Sequence, residues 1–344
     1  MTAALGSTWI PRGLLAALAL GLPTGTATAQ PRLFRSEDTL SVTLKTDLRA
    51  LLRDKDTTNA PWRSATLTYG GPDGAVTVPL RIRTRGIYRL FHCDLVPMRL
   101  RFSDSTSRGT VFHNVGRPKL VNACRHSSQF EQYVLEEYAI YKVLRLFTPY
   151  SLSARLLRVT YQDSAGRIAP VTHYAFVTED PDRFAERVGG TLVAPQGMRI
   201  GMPSQENLAF VGAFQYFIGN TDWSIVARHN IALLKVQDTT FAMPFDFDWS
   251  GVIDPPYCRP NQALQLIDCA DRLYHAFCPR AEELEPVLAR FEALKDSIAA
   301  IYRAIPGLEP KSIEKTLRYY DEFYRAIADR QRFLHRVVER ECIP

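Results

Sequence analysis

The chain lacks most of the patterns that identify a function directly. It has no C-x-x-C pair, no cysteine–histidine spacing typical of zinc sites and no glycine-rich G-x-G-x-x-G segment. It also shows no internal repeat and no low-complexity linker. Acidic and basic residues are interspersed, without a basic stripe interleaved with stacking aromatics, so nucleic acid is not an expected partner.

The start of the chain has almost no charge. Arg12 is the only charged residue before Arg32, an apolar run covers residues 14–22, and Ala27-Thr28-Ala29 fits an A-x-A cleavage site. This pattern predicts a signal peptide over residues 1–29, too short to span a bilayer as a helix. No cysteine follows the apolar run, so no lipid anchor is expected. We therefore expect an exported protein, periplasmic or secreted, with no transmembrane segment after cleavage.

Cleavage leaves about 315 residues and lowers the formal charge from +6 to +5. In an oxidising compartment an even number of cysteines favours disulfides over metal ligation. We expect Cys93 to pair with Cys124. The other four are expected to pair among themselves, in a connectivity that the sequence leaves open: Cys258, Cys269, Cys278 and Cys342.

Strand patterns dominate the first half of the mature chain. Residues 66–69 and 75–83 alternate apolar and polar side chains across Gly70-Gly71-Pro72-Asp73-Gly74, which predicts a β-hairpin. Helical spacing of apolar residues predicts a helix over Ser128–Phe147, closed by Pro149. Further short elements are expected as strands at 97–102, 119–121, 154–161 and 171–177, and as a helix at 182–188.

The second half is richer in helix. We expect a buried helix over Gln205–Ile218, a hairpin formed by 231–236 and 240–245, and two or three helices over 280–342, broken at 306–310. The combination predicts an α+β, two-lobed protein kinase-like fold. In this plan the strand-rich N-lobe with one main helix covers residues 30–180, and the mostly helical C-lobe covers residues 181–344.

Two short segments of the second half, on either side of the hairpin, carry the candidate chemistry. Asp222 follows the buried helix, where a loop carboxylate on a rigid support suits a general base. Asn230 offers an amide oxygen to a hard cation. His229 is expected to be a hydrogen-bonded structural residue, with metal ligation or a position near phosphate as the alternatives. Asp246 and Asp248 lie in an aromatic run, where unpaired carboxylates are costly to bury and a divalent cation would offset that cost.

The first half supplies candidate cations. Lys119 precedes Glu137 by eighteen positions, a distance at which a strand lysine and a helix glutamate can form an ion pair that orients a nucleotide's phosphates. Arg85-Gly86 lies in a basic segment, residues 83–89, at a strand end from which it can approach phosphates. Arg99 or Arg101 on the neighbouring strand is an alternative to Lys119 in this role.

The order of these parts resembles that of protein kinases, although the chain has neither H-R-D nor A-P-E. It is more similar to the spore-coat protein H kinase-like (CotH) family, an atypical and often secreted group. The resemblance covers roughly residues 40–251. It rests on Arg85-Gly86, residues 98–102, Leu135-Glu136-Glu137-Tyr138-Ala139-Ile140-Tyr141, Asn220-Thr221-Asp222-Trp223, His229-Asn230 and Phe245-Asp246-Phe247-Asp248.

The resemblance implies ATP-dependent phosphorylation of a protein Ser/Thr hydroxyl with Mg²⁺ or Mn²⁺. Asp222 would be the catalytic base, and Asn230 and Asp246 the metal ligands, with Asp248 as an alternative or second ligand.

Two other functions stay open. One is a catalytically inactive, kinase-like envelope protein that acts as a binding platform. The other is a metal-dependent hydrolase using Asp222, His229, Asp246 and Asp248.

Overall fold

The structure is a computed structural model that describes residues 29–194 and 203–343. The predicted signal peptide, apart from Ala29, lies outside the described residues. The first large unit of the chain is a closed barrel of seven strands. These strands are β1 (Leu40–Thr46), β2 (Arg63–Gly71), β3 (Gly74–Thr84), β4 (Met98–Arg101), β5 (Lys119–Asn122), β6 (Ala154–Asp163) and β7 (Val171–Thr178).

Neighbouring strands of the barrel follow the order β1-β2-β3-β4-β5-β7-β6, and these neighbours are antiparallel. The barrel closes through a parallel pairing of β1 with β6, in which Leu40 lies opposite Leu157. Alternate side chains of each strand point inward and fill the interior. Among them are the buried Leu44, Ile82 and Tyr161.

The remaining elements form a set of helices and a small antiparallel sheet with the strand order β10-β9-β8. The helices are α1 (Leu48–Arg53), α2 (Tyr88–His92), α3 (Ser128–Phe147), α4 (Pro181–Arg187), α5 (Gln205–Ile218), α6 (Ala281–Ala304) and α7 (Pro310–Ala328). The strands are β8 (Gly190–Leu192), β9 (Ile231–Val236) and β10 (Thr239–Pro244). Short helical segments follow at Arg330–Phe333, Leu334–Val338 and Glu339–Glu341.

The predicted two-lobed, kinase-like fold with one main helix in its N-lobe is wrong. The first half closes into a seven-strand mixed barrel, and α3 does not belong to the core of that barrel. Leu135 and Leu144 of α3 instead share one apolar cluster with Phe214 of α5 and Phe291 of α6. Since buried residues surround α3 on almost every side, this helix packs between the barrel and the other helices.

The local expectations agree better with the structure than the global one. The β2–β3 and β9–β10 hairpins, the strands near 97–102 and 119–121, and the helices α3 and α5 are confirmed. Cys93 pairs with Cys124 as predicted, and the other four cysteines pair among themselves, as Cys258–Cys269 and Cys278–Cys342. Within the two described stretches, no helix has both the length and the apolarity needed to cross a membrane.

Glu136 is a buried carboxyl group on α3 that makes stability depend on pH. Burial raises its pKa to about 8, partly opposed by the charge of Lys315 on α7. Between its ordinary pKa of 4.5 and about 8, the native state therefore holds a proton that the unfolded state has lost. The stabilising effect of this proton is complete below pH 4.5 and is lost as the pH rises through about 8.

We expect Glu136→Gln to remove this pH dependence, because a neutral amide needs no proton. As the pH rises between the two pKa values, the wild type loses stability relative to the variant. The difference in unfolding free energy between them should change by up to about 1.4 kcal/mol per pH unit. Urea unfolding at a series of pH values measures the difference. Glu314→Gln, at an exposed carboxylate of α7, is the control, and its unfolding free energy should depend on pH as that of the wild type does. The same pH dependence in Glu136→Gln and the wild type would contradict the raised pKa of Glu136.

Candidate functional site

Most of the residues singled out in the two halves of the sequence line one cavity of about 350 Å³. Lys119 and Glu137 do not line it, but they contact Asp246 and Phe247 in the segment that follows β10. The cavity lies between the segment that begins α2, the loop that precedes β9 and the segment that follows β10. Its walls combine carboxylates, cations and aromatic rings. The lining residues are Arg85, Gly86, Ile87, Tyr88, Arg89, Pro97, Asp222, His229, Asn230, Asp246, Asp248 and Trp249.

Asp222 is held by two neighbours at the wall of this cavity. Its Oδ1 lies 2.8 Å from Nε2 of His229, and the amide of Asn230 donates to its Oδ2 at 3.0 Å and to its backbone oxygen at 2.7 Å. Burial raises the pKa of Asp222, the charge of His229 opposes this, and Asp246 adds to the rise. A half-buried carboxylate with a raised pKa and a fixed orientation suits proton transfer.

The backbone at two of the predicted site residues is unusual. Asn230 has φ of 53° and Asp246 has φ of 64°, in the left-handed region that residues other than glycine rarely adopt. Asp246 is held there by a hydrogen bond from its backbone N–H to Oη of Tyr141, at 2.9 Å. Such backbone conformations cost about 1–3 kcal/mol each and cluster at functional sites.

Three cations surround the carboxylate of Asp246. Its Oδ2 lies 3.5 Å from Nζ of Lys119 and 3.6 Å from a guanidinium nitrogen of Arg85. Burial alone would raise the pKa of Asp246, but Lys119, Arg85 and Arg89 together lower it. Burial, with the charges of Arg85 and Arg99, lowers the pKa of Lys119 to about 8 despite its contact with Asp246. This side of the cavity therefore has more cations than Asp246 neutralises, which favours a bound anion.

Asp248 lies on the side of the cavity next to α2. Its Oδ2 is 3.7 Å from Nη1 of Arg89, whose Nη2 donates to the backbone oxygen of Asn122. Burial raises the pKa of Asp248 to about 6, against the charge of Arg89, and the neighbouring Asp246 raises it further. The two carboxylates thus differ, since Asp246 stays ionised more readily than Asp248.

Glu137 takes a different role from the one expected of it. Its Oε1 accepts a hydrogen bond from the backbone N–H of Phe247 at 3.3 Å. Burial raises the pKa of Glu137 well above its ordinary value, and the carboxylates of Asp248 and Asp246 add to the rise. Among the described residues, Lys119 forms an ion pair with Asp246 and not with Glu137. Glu137 therefore positions the segment after β10 and does not hold the lysine.

The oxygen atoms around the cavity are of the kind that a hard divalent cation binds. Asp246, Asp248 and Asn230 all line it, and Mg²⁺ is usually held by one or two carboxylates together with water and substrate phosphates. No group of three His, Cys, Asp or Glu side chains is arranged to hold a metal in the part of the chain that the structure describes. A cation here would thus depend on phosphate oxygens as additional ligands.

The sequence placed Arg89 only within the basic segment 83–89 and gave no separate role to Arg89 or Tyr141. Arg89 is largely buried beside Asp248, and its guanidinium is 5.9 Å from the ring of Tyr257. The basic segment around Arg85 was a signal for Arg89, four positions later on α2. Tyr141 belongs to the apolar stripe of α3, and nothing in that stripe distinguishes the one tyrosine whose hydroxyl reaches Asp246.

The Cys93–Cys124 disulfide supports the cationic side of the cavity. Cys93 caps α2, which carries Arg89, and Cys124 follows β5, which carries Lys119. A hydrogen bond from the N–H of Asp94 to the oxygen of Cys124 reinforces the link at 2.8 Å. The bridge therefore fixes the two cations relative to each other.

We expect the double variant Cys93→Ser, Cys124→Ser to lose about 3–4 kcal/mol of unfolding free energy, by the loop-closure account of a bridge of this span. It should also lose affinity for anionic ligands of the cavity. The control is Cys278→Ser, Cys342→Ser, whose bridge closes a longer loop far along the chain from these cations. The control should lose stability alone. Urea unfolding and ligand titration separate the two effects, and equal ligand affinity in both variants would contradict the supporting role.

Comparisons with known proteins do not assign the chain to a family. A scan against protein-family models finds no match, and a search of curated proteins finds no significant match. The function is therefore inferred from the cavity itself.

Proposed function

We propose that the protein catalyses metal-dependent phosphoryl transfer from ATP to a protein hydroxyl at the cavity that contains Asp222 and Asp246, and that it does so after export. The resemblance of the site motifs to those of the CotH family supports the choice of donor and acceptor. The three disulfides support an oxidising compartment.

One observation carries the proposal: one cavity is lined by two carboxylates whose pKa values are shifted in opposite directions, together with several cations. Burial raises the pKa of Asp222. Burial acts in the same direction on Asp246, but Lys119 and Arg85 outweigh it and lower the pKa of that carboxylate. Pairs of titratable groups whose surroundings separate their pKa values mark a division of roles. Catalysis of phosphoryl transfer is mostly positioning and charge neutralisation, which these groups can provide.

Each residue has a distinct role in the proposed reaction. Asp222 accepts the proton of the acceptor hydroxyl, while His229 and Asn230 hold its two carboxylate oxygens in place. Lys119 and Arg85 bind the phosphate chain of the donor. Asp246 and Asn230, with Asp248, would hold Mg²⁺ or Mn²⁺, which neutralises phosphate charge when bound.

The first test is the thermal stability of the mature, oxidised protein with ATP and Mn²⁺, with either alone, and with neither. A ligand that binds only the native state at a hundred times its Kd adds about 2.7 kcal/mol. We expect a rise in Tm of about 4 °C with both present, for a mature chain of this length. Unchanged Tm under all four conditions would contradict the proposal.

A binding platform without catalysis is the second candidate, and one observation favours it. The ion pairs of Asp246 with Lys119 and Arg85 already neutralise this carboxylate without a metal. This candidate predicts no Tm shift with ATP and Mn²⁺. A metal-dependent hydrolase has less support, because the described residues contain no group of three His, Cys, Asp or Glu side chains arranged around a metal position. That candidate predicts stoichiometric metal after dialysis without nucleotide.

A further inference from the structure

The outer surface of the barrel carries a row of cations beside the cavity. Arg81 and Arg83 project from β3 and Arg99 and Arg101 from β4, while inward neighbours such as Leu100 are buried. In the strand register Arg81 lies opposite Arg101, and Arg83 lies opposite Arg99. We call these four residues the arginine face. Like charges directly opposite each other on adjacent strands are unfavourable, so a bound anion would stabilise this arrangement.

The arginine face has little internal neutralisation. Among the residues that the structure describes, none of its four members has a carboxylate within salt-bridge distance. Arg81 donates to the backbone oxygen of Trp62 at 2.7 Å, and Arg83 lies 4.7 Å from the ring of Trp62. Burial lowers the pKa of Arg99, and Arg85 and Arg83 add to this while Asp180 opposes it. Arg99 is therefore a partly buried cation held among other cations.

Two cavities adjoin the arginine face, and Arg101 lines both. The first has a volume of about 840 Å³, its lining includes Lys45, Arg81, Ser103 and Thr106, and no carboxylate lines it. The second has a volume of about 900 Å³ and is lined by Arg83 and Arg101 together with charged pairs. The carboxylates of this second cavity pair with its two other arginines and not with the arginine face: Asp180 and Asp182 with Arg117, and Asp104 and Glu186 with Arg183.

The arginine face continues into the candidate active site. Arg99 on β4 lies opposite Lys119 on β5, and Lys119 contacts Asp246. Adjacent strands lie about 4.8 Å apart, so the cations form a closely spaced series that ends at the carboxylates. A ligand that contacts all of them must be extended and carry several closely spaced negative charges.

We propose that the arginine face binds an extended oligophosphate chain whose end reaches the cavity of Asp222 and Asp246. Planar guanidinium groups match phosphate oxygens in bidentate geometry, which favours phosphate over single carboxylates. The chain is either the phosphate tail of a nucleotide or inorganic polyphosphate. The inference rests on the proposed function for the identity of the site at its end, but the binding of the chain itself needs no metal.

The test is titration calorimetry of the mature, oxidised protein with sodium tripolyphosphate in EDTA, beside ATP in EDTA and sodium sulfate at matched ionic strength. We expect tripolyphosphate to bind and sulfate not to bind. Arg101→Gln and Arg99→Gln should each weaken binding about tenfold, since each removes a charged hydrogen bond to phosphate. Arg303→Gln, at an exposed arginine of α6, has the same charge change and should bind like the wild type.

Each result has a distinct meaning. Tripolyphosphate binding at least as tight as that of ATP assigns the face to the bare chain, and tighter ATP binding assigns it to a nucleotide tail. If Arg101→Gln and Arg303→Gln weaken tripolyphosphate binding equally, the net charge of the protein explains the binding, and the proposal is overturned. Equal binding of sulfate, or displacement of tripolyphosphate by a sulfated polysaccharide at matched charge, would also overturn it. The titration in EDTA contains no free metal, so it tests the arginine face independently of the metal site. Tripolyphosphate binding in EDTA without any Mn²⁺-dependent Tm shift with ATP would contradict the proposed function and leave the arginine-face proposal standing.

Arg101 is exposed on the barrel surface, so Arg101→Gln should fold normally. Arg99 is partly buried, and its variant needs a separate check of folding by circular dichroism. If Arg99→Gln does not fold, Arg101→Gln with Lys45→Gln, at a second exposed cation of the first cavity, gives the same test. Wild-type affinity in that double variant would overturn the proposal.

Discussion

Asp246→Asn is expected to abolish the Mn²⁺-dependent gain in thermal stability with ATP. The substitution keeps the shape of the side chain and removes the charge that lies between Lys119 and Arg85. A hard cation prefers a carboxylate oxygen, and the amide cannot balance its charge. The Mn²⁺-dependent part of the Tm shift of about 4 °C expected for the wild type should fall to within the error of the measurement.

The control for Asp246→Asn is Asp238→Asn in the turn between β9 and β10, which has the same change of charge away from the cavity. This variant should show the full shift. A full shift in Asp246→Asn would place the metal and nucleotide elsewhere and contradict the assignment of this carboxylate. A shift that persists without Mn²⁺ in Asp246→Asn would indicate binding by the arginine face alone.

Asp222→Asn is expected to separate binding from turnover. The amide cannot accept the proton of the acceptor hydroxyl, and general-base catalysis contributes about 10²–10⁴ to the rate. We therefore expect kcat to fall by about 10³ while the Tm shift with ATP and Mn²⁺ is retained. Steady-state transfer of phosphate from ATP measures the first quantity and thermal unfolding the second.

His229→Gln provides the comparison for Asp222→Asn. It removes the contact to Oδ1 of Asp222 and leaves the carboxylate, so its loss of kcat should be smaller than that of Asp222→Asn. An Asp222→Asn variant with the wild-type kcat would exclude Asp222 as the base. Loss of the Tm shift together with activity would show that Asp222 binds metal or nucleotide instead.

Local elements of this fold were predictable from the sequence because their signals are local. Apolar spacing at helical period marks α3, and Gly70 to Gly74 marks the turn between β2 and β3. The closure of the barrel has no such signal. It pairs Leu40 with Leu157, more than a hundred residues away, and only the assembled sheet determines that β1 and β6 are parallel neighbours.

The candidate site was predictable as a set of residues but not as a set of contacts. Asp222, Asn230, Asp246 and Asp248 come together at one cavity, as their positions around a hairpin suggested. The partner of Lys119 was not predictable, because no local pattern distinguishes Glu137 from Asp246 as its neighbour. The structure selects Asp246, and Glu137 instead accepts the N–H of Phe247.

The most direct test of the central claim is transfer of the terminal phosphate of labelled ATP by the mature, oxidised protein. The reaction is followed with Mn²⁺ or with EDTA, and label is counted in protein and as free phosphate. We predict Mn²⁺-dependent loss of label from ATP that Asp222→Asn reduces by about 10³. ATP left intact by a wild-type protein that shows the full Tm shift would contradict catalysis and leave a nucleotide-binding protein.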